Sequence, residues 1–530
     1  MLKKIKKQRL LWLVVFTTAI HQQAGAQFTL EGQLRTRTEI RHGVGNLVLK
    51  NAAAASFTSQ RTRLLLGYKW ERLSMGVSIQ DVRVWGQDAS SISATDGNRL
   101  MLHEAWASVM LLDKKDSTIK WKLIDQLLIK IGRQELSYDD VRLIGNLDWL
   151  QQARRHDMVL LKALHKGWQL ELGQAFNQNG DAFGVTGSAY VPANIPPYIK
   201  NSLGVLMPVP AGLLPLAAGG SINGNSSKTG TPVFTNPPAT NGGNQQYKSF
   251  TSVYITKKLG QVKLSGLFFN DNFSKYKLDS TGNSSNGYVY GRRFASAGSA
   301  DEFNYSGTHH RYTYGLMVNT LLLTGKKLGS LSLQAAYYQQ SGSNRDGITS
   351  SAFHYTIAAS WQKGNWTFTP GYDVLSGDRI TTGTDERFDP LYGTPHKHWG
   401  FMDYFYVATG SAAGGLRNPY LKTKYSHKRV GLSFDLHHFA LQQPMYTADG
   451  NRISPALGNE VDLVFNYALT RSANIELGYA NMFATGSMAI AKGQASTEAA
   501  AASYNRTGSW AYAMIRFSPD FLYKPAAKAK

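Results

Sequence analysis

LIKIGRQELSYDDVRLIGNLDWLQQARRHD, residues 128–157, is the stretch whose reading decides the fold. It opens on a period of two. Leu127, Ile129 and Ile131 fall on one face, and Leu128, Lys130, Gly132 and Gln134 on the other, which is the signature of a half-buried strand. It then becomes too polar for a membrane-facing surface. Arg133, Glu135, Asp139, Asp140, Arg142, Asp148, Arg154, Arg155 and Asp157 stand among Tyr138, Leu143, Ile144, Trp149 and Leu150. Each such charge would cost several kcal/mol against lipid, whereas a water-filled lumen accepts it. The stretch reads as a channel wall followed by a constricting loop.

Working outward, the neighbouring segments carry the same two-sided pattern. In residues 27–42, Glu31, Gln33, Arg35, Arg37, Glu39 and Arg41 share one face, and Leu30, Gly32, Leu34, Thr36, Thr38 and Ile40 the other. In 59–70, Arg61, Arg63, Gly67 and Lys69 oppose Leu64, Leu66, Tyr68 and Trp70. In 74–86 the phase slips, with Val82 and Val84 becoming the apolar set and Asp81 and Arg83 the polar one. Either a β-bulge or an exit from the apolar band produces such a slip. Alternating runs resume after residue 247 and continue to SWAYAMIRF (509–517). Many are joined by connections of two to five residues, such as KKLGQ and QKGN. Residues 180–247 interrupt them with a Pro/Gly/Asn-rich stretch, read as one long exposed loop.

Bulk properties agree. Of 530 residues 42% are hydrophobic and 12% aromatic, with 51 Gly, 27 Tyr and 23 Phe, a composition suited to aromatic-girdled strands rather than membrane helices. The absence of Cys excludes disulfides, thiolate metal sites and Cys nucleophiles. Residues 1–26 read as a signal peptide. Lys3 to Arg9 form its basic region, Leu10 to Ile20 its apolar core, and Ala24-Gly25-Ala26 the cleavage site, with Gln27 the mature start. Those residues hold five of the 57 basic side chains and no acid, so cleavage lowers the net charge from +22 to +17. That excess calls for an anionic partner, and export removes nucleic acid from consideration. The 504 residues from Gln27 accommodate about 16–18 tilted strands. The expectation is an all-β transmembrane antiparallel barrel over 27–517, with short periplasmic turns, long extracellular loops, and a tail at 518–530.

QRTRLLLGYKW (60–70), QDVRVWG (80–86), LHEAWA (102–107), KIGRQELSYDDVRLIGNLDWLQQARRHD (130–157), FDPLYGTPHKHWGFMDYF (388–405) and NEVDLVFNYALTRSANIELGYANMF (459–483) together resemble the alginate export family of outer-membrane β-barrels. The resemblance implies an 18-stranded, monomeric barrel whose electropositive lumen passes an anionic uronic-acid polymer outward by diffusion. It also implies outer-membrane lipid and periplasmic secretion components as neighbours.

A carboxylate-bearing polymer calls for many weak cationic contacts, best supplied by the planar fork of Arg. The candidates are Arg35, Arg37, Arg41, Arg61, Arg63, Arg83, Lys130, Arg133, Arg142, Arg154 and Arg155. Each one singly reads first as a brace of the wall, and the collective positive excess is the functional signal. Asp139, Asp140 and Asp148 read as acids that neutralise the arginines or tune selectivity. No catalytic residue, cofactor or metal site is expected. His103 with Glu104, His309-His310, His396 with His398, and His437-His438 lie in no nucleophile or ligand pattern. The competing readings are a general anion-selective porin, a surface-binding barrel and, last, an outer-membrane hydrolase.

Overall fold

The computed structural model describes residues 27–86, 100–116, 123–178, 195–217, 231–233, 247–296, 298, 300–379, 383–406 and 413–522. The signal peptide expected over 1–26 and its cleavage near Ala26-Gln27 lie outside them. Eighteen antiparallel strands form one closed sheet. They are β1 (Gln27–His42), β2 (Ala55–Trp70), β3 (Leu73–Val84), β4 (Leu100–Asp113), β5 (Gln126–Gln134), β6 (His156–His165), β7 (Trp168–Phe176), β8 (Ser249–Leu259) and β9 (Val262–Ser274). They continue as β10 (Thr308–Gly325), β11 (Gly329–Ser343), β12 (Thr349–Lys363), β13 (Trp366–Leu375), β14 (Leu416–His427), β15 (Val430–Ala440), β16 (Ala456–Ala468), β17 (Ala473–Ala484) and β18 (Thr507–Phe517). Each pairs with the next, and β18 closes on β1 with Arg516 opposite Arg35, so no strand edge is left open.

The two ends differ as the sequence suggests. Seven of the eight even-to-odd connections are two to four residues long. Lys166 and Gly167 illustrate the geometry, with φ of 46° and 80°, as a two-residue type I′ hairpin demands. The start of β1 and the end of β18 lie at this rim, where Trp70, Trp168, Trp361 and Trp366 are exposed as an interfacial girdle. The odd-to-even connections are longer. Within the 180–247 stretch the described residues carry short strands: Tyr198–Lys200 pairs with Leu206–Pro208, and Leu213–Ala217 pairs with Gly287–Arg293. The start of the C-terminal tail folds back on β1, with the N–H of Phe521 donating to the Leu30 carbonyl at 2.9 Å.

Alternation puts aliphatic side chains outward and builds a second apolar layer inside. Phe250, Phe269, Met317, Tyr338, Leu375, Leu416, Phe439, Leu457, Met482 and Trp510, from strands around the wall, are buried in one cluster with Leu143, Ile144, Phe388, Trp399, Met402 and Phe405. The latter six belong to two connections, 135–155 between β5 and β6 and 376–415 between β13 and β14, which fold into the bore.

Candidate functional site

The two inward connections form one body. The N–H of Tyr392 donates to Leu143 O at 2.9 Å, that of Gly145 to Tyr392 O at 3.0 Å, and that of Thr394 to Val141 O at 2.8 Å. Arg154 adds a guanidinium bond to Gly393 O at 2.5 Å, and burial draws that guanidinium down to about 10. The backbone is strained to achieve this. Asp139, Val141, Leu147, Ala153, Leu391, Asp403 and Tyr406 all have φ between 50° and 64°. For the β-branched Val141 that is a true outlier, costing about 1–3 kcal/mol. Gly393 has no room for a Cβ, which would collide with the carbonyl oxygen of Arg142. Gly393→Ala is therefore expected to part the seam at a cost of about 1–3 kcal/mol, read as faster limited proteolysis of residues 383–406 in micelles.

A hub carboxylate latches this body to the wall. Asp148 lies 2.8 Å from Arg61 and 3.4 Å from both Arg35 and Arg63. Arg35 also donates to Asp148 O at 2.8 Å and to Gln151 at 2.9 Å. Arg37 donates to Trp149 O at 2.9 Å and stacks 4.3 Å over the Trp149 ring. Burial alone would push the Asp148 carboxyl up, but Arg61, Arg35 and Arg63 outweigh it and hold it below its usual range. On the opposite side Arg142 bridges the loop to β13, 2.8 Å from Asp373 and 3.2 Å from Asp140. Asp139 is bound by Lys263 at 3.0 Å, Ser265 at 2.8 Å and Tyr254 at 2.9 Å. The acids thus serve different partners: Asp148 the arginines of β1 and β2, Asp140 the loop's own Arg142, and Asp139 a lysine.

The histidine-rich segment completes the body. His396 sits 2.7 Å from Asp403 and stacks on Trp149 at 4.3 Å. His398 donates to Asp140 O at 3.1 Å, and burial with Arg142 pushes its imidazole well below the ordinary value. Trp399 is fully buried and donates to Asp373 at 3.1 Å. Among the described residues no group of three His, Cys, Asp or Glu is arranged to hold a metal.

Two of the candidate cations do not face the lumen. Arg133 follows the strand alternation to the outer face with Ile129 and Ile131 and pairs with Asp157 at 2.8 Å, both side chains well exposed. Arg83 is also outward, paired with Asp81 at 2.7 Å. The β2–β3 ladder runs without a break from Trp70 opposite Leu73 to Ser59 opposite Val84, so β3 does not change phase against it. Asp81 and Arg83 lie at its long-loop end, where a polar outer face is tolerated. The bulge in this region is on β4, where His103 is the extra residue between the pairs of Ser78 and Ile79.

The remaining candidates line one side of the bore. Arg41 pairs with Glu39 at 2.7 Å, and Lys130 lies 4.0 Å over the Trp106 ring. Arg155 donates to the Met101 sulfur at 3.6 Å. On this side Nη2 of Arg63, Nη1 of Arg155 and Nδ1 of His103 make no hydrogen bond among the described residues, while the Asp148 side chain is 39% exposed. The loop body buries most of its apolar side chains toward β8–β18, where Asp139 and Arg142 also make polar contacts, and meets β1 and β2 through Asp148. Sequence reasoning missed Lys422 and Lys424 on β14, which with Lys397 flank the loop body and act on one another electrostatically. The alternation of LKTKY (421–425) was their only signal.

The alginate export family model matches residues 26–175. No curated protein matches the chain. Among solved structures, OccK9 (OpdG) of Pseudomonas aeruginosa is 10% identical, with 93% of this chain and 99% of that one covered, at a TM-score of 0.51. A BenF-like porin from Pseudomonas fluorescens Pf-5 and OccAB2 of Acinetobacter baumannii are each 9% identical over 93% of this chain, covering 99% and 98% of theirs, again at 0.51. Such identities speak for the fold alone. Residues 26–175, the first seven strands with the inward loop that carries Asp148, match the alginate export family model, and the eighteen described strands form a closed barrel with the fold of these outer-membrane porins.

Proposed function

We propose that this barrel is a passive outer-membrane channel for anionic solutes, and that its physiological cargo is an acidic exopolysaccharide of the alginate-like polyuronate class. The observation that carries this reading is the cationic side of β1, β2 and β5 in the part of the chain that matches the family, where Arg35, Arg37, Arg61 and Arg63 lie buried beneath the loop body with Lys130 and Arg155 beside them. Arg forks suit carboxylates, and several weak sites in series let a polymer move on. The barrel acts as a monomer in outer-membrane lipid, and it receives its polymer from periplasmic secretion components. A general anion-selective porin shares the same wall, and the response to polymer separates the two.

In planar bilayers with a salt gradient, the expected reversal potential is that of an anion-selective pore, and added polyuronate interrupts the current. Anion selectivity without polymer block leaves the general porin. Cation selectivity overturns both readings.

A further inference from the structure

The short-turn rim carries a cavity of about 750 Å³ over the β6–β7 turn, with Lys115, Trp168, Gln169, Thr256, Lys258 and Lys263 among its lining residues. Its electrostatics are unusual for a wall. Lys258 and Lys263 are direct partners in the β8–β9 ladder, so both ammoniums leave the same face of the sheet. Like charges directly opposed destabilise a strand pair. Asp139 offsets Lys263 at 3.0 Å, but Lys258 and Lys115 have no ion-pair partner among the described residues. On the outer face of the same rim Lys257 lies 4.6 Å over the Trp168 ring. Gln169 and Thr256 face each other across the β7–β8 ladder and add an amide and a hydroxyl. Of the two carboxylates in the lining, Asp125 is taken up by Lys114 at 3.1 Å and Asp113 by Gln126 at 3.3 Å, so free ammoniums and neutral hydrogen-bonding groups are left at the opening, the chemistry that recognises a sugar chain bearing carboxylates.

We infer that this rim is the entry site for a carboxylated glycan chain, which engages Lys115, Lys258 and Lys263 before meeting the loop body at Asp139. The inference rests on the reading above and adds to it the side chains that first meet the polymer, at the rim that the short turns mark as periplasmic. Lys263 and Asp139 then join the capture site to the constriction.

The test is current block by a uronate oligomer added to one side of a bilayer at a time. The chain has no cysteine, so Lys166→Cys and an impermeant thiol reagent report which rim faces which chamber. Block from the short-turn side is expected at lower oligomer concentration than from the loop side. Lys115→Ala/Lys258→Ala is expected to weaken it about tenfold, while leaving block from the loop side and the open-channel current unchanged. A neutral oligosaccharide of equal length should not block from either side. The result should hold in bilayers without anionic lipid, since dependence on that lipid would make the rim a headgroup site and overturn the inference. Equal block from both sides, or block indifferent to the double substitution, overturns the entry site and leaves the channel reading standing. Absence of block from either side overturns both the entry site and the polyuronate cargo.

Discussion

Asp148→Ala is expected to raise single-channel conductance several-fold and to shift selectivity toward anions. Arg35, Arg61 and Arg63 have side chains only 4%, 0% and 8% exposed, and Asp148 is the carboxylate they share. Its removal leaves three guanidiniums facing one another with, among the described residues, only Glu135, 3.9 Å from Arg63, and the more distant Glu104 as counter-charge. Breaking a buried pair costs about 3–5 kcal/mol, and the partial exposure of Asp148 places this case near the lower figure. The wall relieves that cost by releasing residues 146–155 and hydrating the three cations, which widens the bore and makes it more positive. Unchanged conductance and unchanged selectivity would show that Asp148 is no latch.

The same hub fixes the response to acid. The Asp148 carboxyl is held below its usual range, so its contribution is fully present above the ordinary carboxylate pKa of about 3.9 and is lost as pH falls through the lowered value. The latch is therefore expected to hold from neutral pH to about 4, with single-channel current rising only below it.

Arg142→Ala has the second large effect. The Arg142 side chain is 3% exposed, and that of Asp373 is fully buried. Burial would strip the charge from Arg142, but Asp373 and Asp140 more than restore it. Without it Asp373 keeps the Trp399 indole as its hydrogen-bond donor, and Asp140 keeps Gln334 at 2.6 Å. A loss of about 3 kcal/mol corresponds to two decades in the opening equilibrium. Trypsin is thus expected to cut at Arg387 or Lys397 about a hundredfold faster in the variant, and Arg142→Lys should restore part of the protection. Cleavage at the wild-type rate would mean that the loop body does not depend on this ion pair.

Where a period of two sufficed, the sequence could be read closely. Arg35, Arg37, Glu39 and Arg41 leave one face of β1, and the apolar partners leave the other. The misplacements of Arg83 and Arg133 came from ranking charge density above that same period. Strict alternation already put Arg133 beside Ile129 and Ile131, and its neighbour Asp157, opposite it in the β5–β6 ladder, makes an outward ion pair tolerable. The fate of 376–415 was out of reach for another reason. Thr394 meets Val141, and Gly393 meets Arg154, across more than two hundred residues of chain. No local pattern encodes such a pairing. FDPLYGTPHKHWG announced an unusual segment, while its docking depends on the volume left by side chains from strands all round the wall.

The seam between 143–145 and 391–394 has a mechanical side. Its two loops spring from β5 and β13, eight strands apart on an 18-stranded ring. A wall one strand thick bends easily under the lateral pressure of a bilayer and would drift between circular and oval outlines. A rigid tie anchored near opposite sides acts as a cross-brace, fixing the short axis of the section wherever Arg61 and Asp373 hold its ends. Releasing either end then does more than clear an obstruction: it lets the hoop itself relax, so that the shape of the pore and the membrane tension around it become coupled.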